Sequence, residues 1–171
     1  MKKYAYNFSI IFLALFSATM IYLNVEAKKS ERKLEAVVGN SVYNVWVTLN
    51  EISSDGEITF QNIEKTNEKL ITAEVFAGII DRSVSVELLQ PIIKNLLVIG
   101  ESIENNYYKN NEFTKENQEI HKEYLTEVQK TISAIYDIYY VPNSEGKVKL
   151  EIKNFDELTE INKRLLEIQK K

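Results

Sequence analysis

The side chains best equipped for chemistry in this 171-residue chain are a single histidine and two pairs of glutamates. A di-iron bundle centre takes Glu-x-x-His from each of two helices plus two further glutamates. The residue three before His121 is Gln118, which excludes that arrangement. A zinc site from His121 with Glu119 or Glu123 needs its ligands on one helical face, and at about 100° per residue both glutamates fall off it. A solvated histidine is therefore expected. Glu64 with Glu68, and Glu123 with Glu127, are i,i+4 pairs that could share a proton if buried together. Lys65, Lys69, Lys122 and Lys130 lie among them, so exposed charged faces are expected instead. The chain has no cysteine, and so no thiol nucleophile and no disulfide framework. It also has no Gly-rich phosphate loop, GxSxG elbow or His-Asp-Ser set. The expectation is a non-enzyme with no catalytic residues, metal or cofactor.

These side chains sit on segments of helical period. Five Gly and two Pro suit long helices more than loop-rich or all-β structure. Over 28–53, Leu34, Val38, Val42, Val45, Leu49 and Ile52 recur every three or four residues. Ser53-Ser54-Asp55-Gly56 then marks a turn, with Gly supplying positive φ and Ser or Asp a cap. A second helix over 58–81 carries an a/d seam of Ile63, Thr66, Leu70, Ala73, Ala77 and Ile80.

Pro91 makes the next boundary ambiguous. Either a third helix starts from hydroxyl caps in 82–85 and kinks at Pro91, or the second continues to about Leu89 and the third begins at Pro91. In both versions Leu89, Ile92, Leu96, Ile99 and Ile103 are buried. Asn105 to Asn111 reads as an Asn-rich loop. A fourth helix over about 114–136 buries Ile120, Tyr124, Val128, Ile132 and Ile135. Thr114 and Asn117 form a partial capping signal. Pro142 to Gly146 breaks the pattern, and 147–152 alternates like a strand, so a small β-hairpin near 138–152 is one reading. Asn154 and Glu157 cap a last helix burying Phe155, Leu158, Ile161, Leu165 and Ile168. The predicted fold is all-α: an N-terminal transmembrane or signal helix (1–27), then an up-and-down bundle of four to five helices (28–171).

The N-terminal assignment rests on the apolar run Phe8 to Val25, flanked by Lys2 and Lys3 before it and Lys28, Lys29, Arg32 and Lys33 after it. Such a run is long enough to span a membrane. Tyr4, Tyr6 and Tyr22 flank its centre, at head-group levels. Val25-Glu26-Ala27 equally resembles a signal-peptidase site, so retention as an anchor and cleavage after Ala27 both stand, with retention favoured by a helical pattern that continues past Ala27. The later basic cluster alone would keep the domain in the cytoplasm. A short basic N-terminus ahead of a first apolar segment favours export, and Glu26, Glu31 and Glu35 dilute the later positives.

Removing Lys2, Lys3 and Glu26 from 21 basic and 25 acidic residues leaves 19 and 24, a net charge of −5 on the domain. With the basic residues interleaved among acids, nucleic acid is not an expected partner. The membrane is. A single-pass, membrane-anchored extracytoplasmic interaction or assembly module with a protein partner is the leading expectation. The alternatives are a ligand-sensing bundle that works with a separate signalling partner and a secreted effector cleaved at Ala27. The candidate partner-contact loop is Asn105, Asn106, Tyr107, Tyr108 and Asn110, because exposed tyrosines offer large area at low entropic cost. Tyr136, Tyr139 and Tyr140 are candidate membrane-interface residues, with bundle packing the competing role for the first two. A homodimer through the first helix, with Trp46 at its interface, is a further expectation.

Overall fold

A computed structural model describes residues 2–54, 58–84, 87–139 and 155–171, and among them the side chains from Phe16 onward except those of Glu31, Val84 and 136–139. Five helices and no strand occur among the described residues: α1 (Lys2–Ser54), α2 (Phe60–Val84), α3 (Leu89–Asn110), α4 (Lys115–Tyr139) and α5 (Phe155–Ile168). The all-α bundle is thus as expected. Ile138 and Tyr139, half of one expected hairpin strand, belong to α4. The rest of that hairpin, 140–152, lies outside the described residues, as does Asn154.

The chain divides into two units, Met1–Ala36 and Val37–Lys171. In the second, α3 is central and packs on α2, α4 and α5. Pairings between named residues give the directions. Asp81 meets Leu88, Leu89 and Gln90, while Asn67 meets Glu104, so α2 and α3 are antiparallel. Glu127 meets Arg164 and Glu123 meets Lys171, so α4 and α5 are antiparallel too. The core joins Val38, Val42, Val45, Leu49 and Ile52 of α1 to Ile63, Leu70, Ala73, Ala77 and Ile80 of α2. Leu89, Ile92, Ile93 and Leu96 of α3 are fully buried at its centre. Truncating one such side chain to Ala costs roughly 2–5 kcal/mol, a large share of a typical domain's stability.

Several expectations need correcting. Leu34, in register with the α1 seam, is 53% exposed. Phe155 is also exposed, because the α5 stripe begins at Leu158. The α4 stripe is rotated from the one expected. Asn117, His121, Tyr124, Val128, Thr131 and Ile135 are buried at steps of three and four, while Ile120 and Ile132 are only partly covered. Thr131 and Asn117 can lie in that seam because they are satisfied locally. Thr131 Oγ1 donates to the Glu127 carbonyl at 2.8 Å. Thr114 and Asn117 form a complete reciprocal box, each side chain accepting the other's backbone N–H at 3.2 Å.

The cap of α2 is Thr59, whose hydroxyl accepts the Asn62 N–H at 3.2 Å; Ser53 and Ser54 belong to α1, and Asp55 and Gly56 of the expected turn lie outside the described residues. Asn105 to Asn110 are not a loop but the last turns of α3. That helix stops at Asn111, which takes the left-handed conformation (φ 55°) and returns its N–H to the Tyr107 carbonyl at 2.7 Å.

Candidate functional site

The candidate catalytic groups are dispersed over α2 and α4. Glu127 is buried, and its carboxylate receives Lys130 Nζ at 2.6 Å and Arg164 Nε at 3.0 Å. Its sequence partner Glu123 is half-exposed and meets Lys171 Nζ at 2.6 Å. Each carboxylate of the pair therefore has its own cation, which removes the reason for sharing a proton. Glu64 and Glu68 are both exposed on α2. Among the described residues, no group of three His, Asp or Glu side chains could hold a metal ion.

His121, expected to be solvated, is instead buried at 8% exposure. Its ring lies on Tyr124, with centroids 6.0 Å apart and planes 18° from parallel. Burial pushes the imidazole below its ordinary value of 6.5, since a charged ring would lose its hydration there. Tyr124 is fully buried, and its hydroxyl has no hydrogen-bond partner among the described residues. Burial pushes that phenol well above its usual range.

Asp81 is the group that residue spacing did not reveal. It is 3% exposed in the last turn of α2, and it caps the next helix. Its Oδ2 accepts the N–H of Leu88 at 2.9 Å and of Gln90 at 2.8 Å, and Oδ1 accepts that of Leu89 at 3.0 Å. Leu88, at the cap position of α3, supplies no side-chain cap of its own. The following residue, Pro91, has no N–H to satisfy, so every orphan donor of the first turn is accounted for. This overturns both versions of the Pro91 boundary: α2 runs to Val84, α3 starts at Leu89, and the proline occupies its first turn. Burial raises the Asp81 carboxyl above its usual range, partly opposed by the three N–H groups that favour the anion. A sequence signal did exist, because an acid in a helix's last turn opposes the helix dipole and implies a partner elsewhere.

The expected contact segment lies at the opposite end of the bundle. Tyr107 stacks on Phe60 (5.0 Å between centroids) and packs against Phe113 (4.7 Å), which fixes it inside an aromatic cluster. Tyr108 meets Phe60 edge-on at 5.1 Å, yet remains 64% exposed. Asn105 and Asn110 are exposed and Asn106 is half-buried. The side chains of Tyr136 and Tyr139, and all of Tyr140, lie outside the described residues.

In the first unit, Phe16, Met20, Ile21, Tyr22, Leu23 and Val25 are between 46% and 66% exposed. Among the described residues no helix is long and apolar enough to cross a membrane. The apolar run begins at Phe8, however, and its side chains before Phe16 lie outside the described ones. No family model matches the chain, and neither a curated protein nor a solved structure matches it.

Proposed function

We propose that this chain is a non-catalytic interaction or assembly module, a helical bundle held at the outer face of a membrane by the apolar N-terminal part of α1. The observation that carries the reading is the exposure of Phe16, Met20, Ile21, Tyr22, Leu23 and Val25. At about 100° per residue these side chains point around the whole circumference of the helix. A helix that is apolar on all sides belongs in a protein core or in lipid, and here the large apolar groups face outward. The run Phe8 to Val25 would cover about 27 Å at 1.5 Å per residue, close to the roughly 30 Å of hydrocarbon in a bilayer. Lys28, Lys29, Arg32 and Lys33 then meet the head groups. The bundle offers the exposed Tyr108 end to a protein partner.

The test is the fate of the full-length chain expressed with a C-terminal tag. Intact mass should match residues 1–171, and the protein should stay in the membrane pellet after an alkaline carbonate wash. A protease that cannot enter sealed cells should digest the bundle. A soluble product beginning at Lys28 would refute the anchor and leave the secreted reading. A protected bundle would refute the export.

A further inference from the structure

The α1 seam expected to pair two copies of the chain is consumed inside one copy, where Val38, Val42, Val45, Leu49 and Ile52 are all buried. A different stripe is left uncovered on α2. Glu68, Ile71, Val75, Ile79 and Arg82 fall within about 80° of arc at 100° per residue. Ile71 is 54% and Val75 64% exposed, Ile79 is half-buried, and Glu68 and Arg82 at the two ends are exposed. The stripe has a symmetry of its own. Ile71 and Ile79 lie four residues either side of Val75, and Glu68 and Arg82 lie seven residues either side of it.

We infer that this stripe is a dimer interface, in which α2 of a second copy packs antiparallel about a twofold axis through Val75. That arrangement sets Val75 on Val75, Ile71 on Ile79 and Glu68 on Arg82, so every apolar residue meets an apolar one and each acid meets a base. Parallel packing of the same stripe would oppose Glu68 to Glu68 and Arg82 to Arg82, two like-charge contacts at an apolar seam. Charge thus selects the antiparallel register, as expected for a self-complementary twofold contact. One helical stripe buries less than the roughly 1,200 Å² of a stable interface, so the dimer is reversible and weakened by salt. The inference does not depend on the proposed anchor.

The absence of native cysteine makes the test direct. The full chain is purified in mild detergent and followed by sedimentation velocity over a concentration series, with circular dichroism confirming each variant's fold. Wild type should reach a dimer. Glu68→Arg and Arg82→Glu should each weaken dimerisation at least tenfold, and the double exchange should restore it. In disulfide trapping, a mixture of Glu68→Cys and Arg82→Cys chains should crosslink. Either variant alone should not, because in the antiparallel dimer like positions lie about 20 Å apart at 1.5 Å per residue. A wild type that stays monomeric, a double exchange that does not recover, or crosslinking by Glu68→Cys alone would each overturn the interface.

Discussion

Replacing Asp81 by Ala removes the acceptor of three backbone N–H groups at once, those of Leu88, Leu89 and Gln90. The loss of an ordinary helix cap costs about 1 kcal/mol, and a buried donor left without a partner about 1–3 kcal/mol. Two of these donors, on Leu88 and Leu89, are buried. The substitution also relieves the burial of a carboxylate, which offsets part of the loss. A net destabilisation of roughly 3–4 kcal/mol follows. Asp81→Asn keeps one acceptor oxygen and should lose roughly half as much. The lone Trp46, half-buried near Tyr43 in α1, reports unfolding by fluorescence in a urea titration of the full chain in detergent. Acid provides a second arm. Because the folded carboxyl is raised, the folded state holds the proton more tightly than the unfolded state, whose value is the usual 3.8. The stability contributed by this protonation is complete below that value and lost as pH rises through the folded one. Wild type should therefore gain on Asp81→Asn as pH falls through this window. An Ala variant within about 0.5 kcal/mol of wild type, the range of ordinary surface changes, would refute the cap, and parallel pH profiles of wild type and Asn would refute the burial argument.

Two further substitutions probe the packing. A Cβ on Gly100 would run into Asn67 Oδ1, which cannot easily withdraw because Asn67 Nδ2 is bonded to Glu104 at 2.7 Å. Gly100→Ala should cost about 1–3 kcal/mol in chemical denaturation despite alanine's better helix propensity, and most of the cost should vanish in an Asn67→Ala background. His121 sets an acid limit of its own. Its lowered value means that its contribution to stability is present above the ordinary 6.5 and lost as pH falls below it toward the folded value. His121→Phe should flatten stability between about pH 7 and 5 relative to wild type, measured by thermal melts across buffers.

The helices themselves were legible because apolar period determines a buried face with little help from context. The buried faces Val38 to Ile52 and Ile63 to Ile80 follow from spacing alone. Spacing does not reveal a polar side chain satisfied by something distant in sequence, or one whose residue type argues against its surroundings. On α4, spacing picks out the buried Tyr124, Val128 and Ile135 but passes over Asn117, His121 and Thr131, which look like surface residues; Asn117 and Thr131 are core because their side chains bond locally. The Asn-rich end of α3 reads as a breaker. It stays helical because Tyr107 is held between Phe60 and Phe113, a gain that outweighs weak local propensity. The boundary at Pro91 is not readable from spacing because it depends on a carboxylate ten residues earlier. In the candidate contact segment, composition does not separate the exposed Tyr108 from the packed Tyr107.

The two buried carboxylates also differ in when they can be neutralised as the chain leaves the ribosome. Asp81 finds all three donors within nine residues, so its bonds become available almost as soon as α3 begins. Glu127 has Lys130 beside it but must wait 37 residues for Arg164. Short loops close at lower entropic cost than long ones. The α2–α3 hairpin is thus the natural early-folding unit, while α5, whose bonds to α3 and α4 reach back 67 and 37 residues, joins last. Until it does, α4 carries an incompletely paired acid on its inner face, and the final helix completes the electrostatics of the bundle as well as its apolar core.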